Sequence, residues 1–208
     1  MAKIVELAKR GQSRKKAGKG KTKTGLRPKK LGKILKGREW SSFRTGPLSM
    51  PLAAELMGSV ETAPAAMQGG QSTTLESGVL AFRRESNGEP LVLLISRKRS
   101  KKWGIPKGRV VPYLSFPENA AKEAFEEAGV IGYVSPSSVG MFRARKQSAD
   151  RLLEQIIEVW VYLLEVTETL PDWPEKGKRT TRWVSCEVAA LHLREPVLTH
   201  LCHRLAQS

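Results

Sequence analysis

Residues 103–130 read WGIPKGRVVPYLSFPENAAKEAFEEAGV. The second half of this stretch is the pattern of one amphipathic helix, and the rest of the chain arranges itself around that helix. Ser115 followed three residues later by Glu118 is a capping-box pair, Pro117 is tolerated in a first turn, and Gly129 supplies a stop. The spacing predicts a helix over 116–128. On it Glu123, Glu126 and Glu127 share a face about 100° wide, opposite a small-residue stripe of Ala121, Ala124, Phe125 and Ala128. Such a stripe lets a helix sit close against a sheet. Carboxylates one turn apart repel unless positive charge lies between them. Two readings satisfy that condition. Either the face is solvated, with Lys122 pairing to Glu118 and Glu126 at four-residue spacing, or it gathers a hard divalent cation, which takes oxygen ligands and completes its shell from substrate phosphates.

Upstream, residues 77–84 (SGVLAFRR) and 90–97 (PLVLLISR) are β-rich runs separated by ESNGE, whose Asn87-Gly88 pair signals a hairpin. Residues 101–108 (KKWGIPKG) read as a short strand entering a Pro-Lys-Gly turn. Downstream, 138–146 (SVGMFRARK), 154–166 (EQIIEVWVYLLEV) and 179–187 (RTTRWVSCE) read as strands, and 196–206 as a closing helix. Strands of mixed order around one well-marked helix, with another at the end, imply a mixed sheet between helices.

The chain has 208 residues and a net charge of +16, unevenly spread. Residues 1–46 hold 16 Lys/Arg against Glu6 and Glu39, a balance of +14, so the remainder is close to neutral. This Lys/Gly-rich segment has too few large apolar residues to offset its ordering entropy and is expected to be a disordered basic arm. It is either a non-specific contact for nucleic acid or polyphosphate, weakening steeply with salt, or a solubilising tail. Its GKGKT resembles a phosphate loop, but Lys15 stands where that loop needs glycine and no apolar strand precedes it. Residues 47–74 read as linker, with a helical turn around residues 52–57. No apolar run approaches the about 18 residues of a bilayer span, so no membrane span is expected. Two cysteines, Cys186 and Cys202, form no framework and point to a reducing, cytoplasmic setting. His200, His203 and Cys202 on the last helix offer too few ligands for zinc and read as surface or packing residues.

The loop before the helix carries the argument further. Gly108, then Glu123, Glu126, Glu127, Gly129 and Val130 in one register, resemble the signature of the Nudix hydrolases: Gly, five residues, Glu, seven residues, then Arg-Glu-aliphatic-x-Glu-Glu-x-Gly-aliphatic. Two positions depart from it: Leu114 replaces the isolated Glu and Lys122 the Arg. In the family those two side chains are thought to brace the loop on the helix, so losing both strands neither. Residues 166–183, with VTETL, DWPE and a basic turn before Arg182-Trp183, and residues 96–108 are similar to the diphosphoinositol-polyphosphate and diadenosine-polyphosphate hydrolases.

The resemblance implies an α/β (α+β) fold class, a Nudix-like α/β/α sandwich over 75–206. It implies a Mg²⁺- or Mn²⁺-dependent pyrophosphohydrolase, with Glu123, Glu126, Glu127 and the Gly108 carbonyl as metal ligands and Glu123 as the base. A polyphosphorylated small-molecule substrate, a diadenosine polyphosphate or else an inositol pyrophosphate, needs fixed positive charge. Lys107, Arg97, Arg99, Lys102 and Arg179 are the candidates, with Lys98, Lys101, Lys178 and Arg182 nearby. Trp103 and Trp173 are candidates to stack on a base, whereas Trp160 and Trp183 read as core. The rival readings are a Nudix hydrolase of nucleoside triphosphates or capped RNA, and a degenerate Nudix fold that only binds nucleic acid or nucleotides.

Overall fold

The computed structural model describes residues 44–45, 73–98, 100, 102–147 and 154–208. Nine strands form one mixed sheet among these residues. In chain order they are β1 (Arg44–Thr45), β2 (Thr73–Arg84), β3 (Pro90–Arg97), β4 (Trp103–Gly104), β5 (Lys107–Arg109), β6 (Val130–Val134), β7 (Gly140–Gln147), β8 (Glu154–Thr169) and β9 (Arg179–Ser185). The helices are α1 (Phe116–Ala128), α2 (Cys186–His192) and α3 (Pro196–Ala206).

The two longest strands, β2 and β8, lie parallel at the centre, from Thr73↔Ile156 to Phe82↔Glu165. Each serves two partners on its outer side. The far end of β2 pairs with β3, and its middle, Glu76 to Gly78, pairs with β5. The first half of β8 pairs with β7 and its last third with β6. Because side chains alternate across a strand, the two faces of the sheet carry separate cores. Val79, Ala81, Leu93, Ile95, Trp160, Tyr162 and Leu164 pack against α1, while Leu80, Phe82, Val92, Leu94, Val161 and Leu163 pack against α2 and α3. The result is an α/β/α sandwich. The alanine stripe works as its composition implies: Ala120, Ala121 and Ala124 have no exposed surface, so α1 lies directly on the strands.

The helix over 116–128 stands where its caps place it. Glu118 accepts from the Ser115 N–H at 2.8 Å, and Gly129 adopts φ 68° with its N–H on the Phe125 carbonyl at 3.0 Å. The hairpin at Asn87-Gly88 forms, with Gly88 at φ 86°. Several elements differ from expectation. The Pro-Lys-Gly segment is not a turn: Lys107–Arg109 is β5, an edge strand held by β2. Val130–Val134 is a strand that follows α1 without a loop, and the run from 179 ends at Ser185, whose hydroxyl caps α2. Strand β2 starts at Thr73, and Arg44–Thr45 of the basic segment pair in parallel with β6. The rest of the basic arm, the linker and the turn around 52–57 lie outside the described residues. Among the described residues no helix is long and apolar enough to cross a membrane.

Candidate active site

Strand β5 brings the loop to the helix. Gly78 permits its approach, since a Cβ there would meet Lys107 Cβ at 2.6 Å and the Pro106 carbonyl at 2.8 Å. Gly108 then sits under α1, where a Cβ would meet Glu123 Oε1 at 2.7 Å. A glycine at 108 is therefore what allows the Glu123 carboxylate to lie flat on the backbone of β5. Asn119, fully buried one turn before Glu123, ties the pieces together. Its amide donates to Ser77 Oγ at 2.9 Å and makes a long contact, 3.5 Å, to the Gly108 carbonyl, and its oxygen accepts from the Val111 N–H at 3.2 Å.

The three glutamates end in different surroundings. Lys122 bridges two of them, donating to Glu126 at 2.8 Å and to Glu123 at 3.1 Å. It does not reach Glu118, whose carboxylate is taken by the Ser115 cap. Glu127 is 6% exposed; one oxygen accepts from the Lys107 N–H at 3.2 Å and the other is ion-paired with Arg179. Arg179 also donates through Nε to Glu175 at 3.0 Å, and the Glu175 N–H bonds the Glu126 carbonyl at 2.9 Å, fastening the 170–178 loop to the last turn of α1.

Burial is the largest single influence on four of these groups and prevails at two of them. It pushes the Glu127 carboxyl up to about 7, against the pull of Arg179 and of the Lys107 N–H. The Glu123 carboxyl is raised for the same reason, with Lys122 opposing. Burial acts to lower Lys122 too, but the hydrogen bond and charge of Glu126, with those of Glu123, outweigh it and leave the ammonium raised. Glu175 is also desolvated, yet its bonds to Lys178 and Arg179 prevail and lower it.

A cleft of about 750 Å³ opens over this group, lined by Glu76, Glu123, Glu126, Glu127 and Glu175 and by Arg97, Lys102, Lys107, Arg145 and Arg179. Trp103, Ile95 and Ile105 supply an apolar wall. Of the residues named from the sequence, Gly108, the three glutamates, Lys107, Arg97, Lys102 and Arg179 meet in this one cleft. Arg99 and Lys101 lie outside the described residues. Lys107 does not present a free ammonium but is paired with Glu76. Lys178 pairs with Glu175, and Trp173 packs on Gly129 instead of facing the cleft. Trp160 is core, Trp183 packs against the same cluster under Arg83, and His200 and His203 are on the surface. Sequence reasoning missed Glu76, Asn119, Arg145 and Glu175. Asn119 alone carried a local signal, a neutral polar residue in line with the carboxylates; the others become neighbours only through strand pairing and loop closure.

The donor set suits a hard cation: carboxylate oxygens on one helix face, buried enough that positive charge between them would relieve a real penalty. Among the described residues no three His, Cys, Asp or Glu side chains stand together as a ready metal cluster, and these glutamates are paired with Lys122 and Arg179. The donor types fit a hard cation, and holding one through Glu127 would require its pair with Arg179 to open.

The family model for the NUDIX domain matches residues 74–202. Nudix hydrolase 12, mitochondrial, of Arabidopsis thaliana is 33% identical over 100 residues, covering 47% of this chain and 49% of that protein. The chain thus spans about half the length of that plant relative. Diphosphoinositol polyphosphate phosphohydrolase 2 of Rattus norvegicus is 34% identical over 131 residues, 61% of this chain and 67% of that one. Among solved structures, an Ap4A hydrolase of C. elegans aligns over 64% of this chain and 96% of its own, at 17% identity and a TM-score of 0.47.

Proposed function

The chain belongs to the Nudix family, and on that footing we propose that it is a divalent-metal-dependent hydrolase of a diphosphate linkage in highly phosphorylated small molecules. Diadenosine polyphosphates are the first candidates and inositol pyrophosphates the second. The observation that carries this reading is the gathering of Glu123, Glu126 and Glu127 with Lys107, Arg97, Lys102 and Arg179 around one cleft.

In this proposal Glu123, Glu126, Glu127 and the Gly108 carbonyl would hold Mg²⁺ or Mn²⁺, which when bound neutralises phosphate oxygens and stabilises the leaving group. Glu123, held on the backbone of β5, takes the proton of the attacking water. Arg97 and Lys102 on the exposed rim hold the outer phosphates, and Lys107 fixes the loop through Glu76 while its N–H orients Glu127. Arg145, which lines the same cleft, adds a further cation. A cytoplasmic setting and a salt-sensitive contact of residues 1–46 with nucleic acid or polyphosphate belong to the same proposal; some similar plant proteins are named as mitochondrial.

The test is product release by the full chain with Mg²⁺ or Mn²⁺ on diadenosine polyphosphates, inositol pyrophosphates, nucleoside triphosphates and ADP-ribose, beside Glu127→Gln. Turnover of one class that collapses in the variant supports the reading. Turnover of triphosphates alone favours the nucleotide-hydrolase rival. Binding without turnover favours the degenerate fold, a reading to which Leu114 and the paired state of the glutamates lend weight.

A further inference from the structure

Both oxygens of Glu127 are already engaged, one by the Lys107 N–H at 3.2 Å and the other by the guanidinium of Arg179. The Arg179 side chain is 17% exposed and that of Glu127 8%, so neither gives up its partner to bulk water. Arg179 is anchored a second time, at 3.0 Å to Glu175, and Glu175 is itself fastened to the Glu126 carbonyl. The guanidinium is thus a fixed positive charge held between two carboxylates of the cleft, one of them the proposed metal ligand Glu127.

We infer that Arg179 is a positioning residue that competes with a metal for Glu127, and that it must release Glu127 before that carboxylate can ligate a metal. The inference rests on Glu127 being a metal ligand. It has a consequence of unusual sign. A residue that merely braces α1 against β9 would, on removal, weaken metal binding or leave it unchanged. A residue that competes with the metal strengthens binding when it is removed.

The experiment is Mn²⁺ titration of the full chain without substrate, free Mn²⁺ being read by electron paramagnetic resonance. Wild type, Arg179→Gln, Arg179→Lys, Glu127→Gln and the double variant Arg179→Gln/Glu127→Gln are compared. A charge-assisted hydrogen bond no longer broken on binding corresponds to at least about fivefold tighter Mn²⁺ binding in Arg179→Gln. Arg179→Lys falls nearer wild type, because the ammonium keeps the charge but not the fork that spans Glu127 and Glu175. The double variant matches Glu127→Gln, since the competition runs through Glu127. Binding in Arg179→Gln equal to or weaker than in a wild type that does bind Mn²⁺ overturns the inference alone. No Mn²⁺ binding by any of the proteins overturns the metal-site reading and the inference with it. Should Arg179→Gln not fold, the same tightening in smaller measure is required of Arg179→Lys, and its absence there is equally decisive.

Discussion

Gly108→Ala separates the shape of the site from the stability of the fold. A Cβ at 108 would stand 2.7 Å from Glu123 Oε1 and closer still to the carboxyl carbon, so the carboxylate must move. Glu123 is the end of a flexible side chain, and the backbone of β5 has no reason to shift with it. The fold loses the seat of Glu123 and strains its contact with Lys122, 3.1 Å in a partly buried pair, a cost of about 1 kcal/mol. Displacing a reacting or ligating group by about 1 Å costs on the order of 100-fold in rate. The expected outcome is a thermal midpoint within a few degrees of wild type, with metal-dependent turnover of the preferred polyphosphate down about 100-fold or more. The assays are a melt followed by circular dichroism and initial-rate kinetics on the same preparation. Wild-type turnover in a folded Gly108→Ala would refute the placement of Glu123, and global unfolding would refute the claim that only a side chain yields.

Gly132→Ala behaves oppositely, because its Cβ would run into the Glu165 carbonyl of the paired strand; a loss of about 3 kcal/mol or more is expected in chemical denaturation. Removing the charge of Glu127 should matter for stability only above acid pH. Its carboxyl is raised to about 7 in the folded, metal-free protein, so its contribution is fully present below the unfolded value of 4.5 and is lost as pH rises towards 7. Glu127→Gln should therefore gain on wild type by on the order of 2 kcal/mol between pH 5 and pH 8 in denaturant titrations without metal. Cys186 and Cys202 are buried, with thiols pushed up to about 11 and about 12, so at pH 8 a thiol reagent should label neither until the protein unfolds. Mass spectrometry of the native and denatured protein checks this.

The sandwich and its principal helix were legible because their signals are local. The capping box, the alanine stripe, the Gly129 stop and the Asn87-Gly88 turn each act within a few residues, and every one forms as read. What escaped depends on partners distant in sequence. Lys107–Arg109 has no strand composition, and only the ladder to Glu76 through Gly78 makes it β5. The strand after Gly129 was invisible because five residues hard against a helix give no loop signal. In the site, helix spacing showed that the three glutamates share a face, yet not that Glu127 is the most buried of them, with Glu123 seated on Gly108 and Glu126 the most exposed. That asymmetry comes from Arg179 and the Lys107 N–H, 52 and 20 residues away in the chain. The pairing of Lys122 with Glu123 in place of Glu118 likewise follows from the cap, which claims Glu118 first.

The central claim is that this cleft adds water across a diphosphate bond under control of its glutamates. The most direct measurement is incubation of the full chain with diadenosine tetraphosphate in ¹⁸O-labelled water, with Mn²⁺ and with chelator, beside Glu127→Gln. One ¹⁸O atom is expected in a single phosphate product with Mn²⁺, and none with chelator or in the variant. Intact substrate recovered under every condition, from protein that is folded and binds Mn²⁺, would contradict it for this linkage; the same result across the inositol pyrophosphates would contradict it outright.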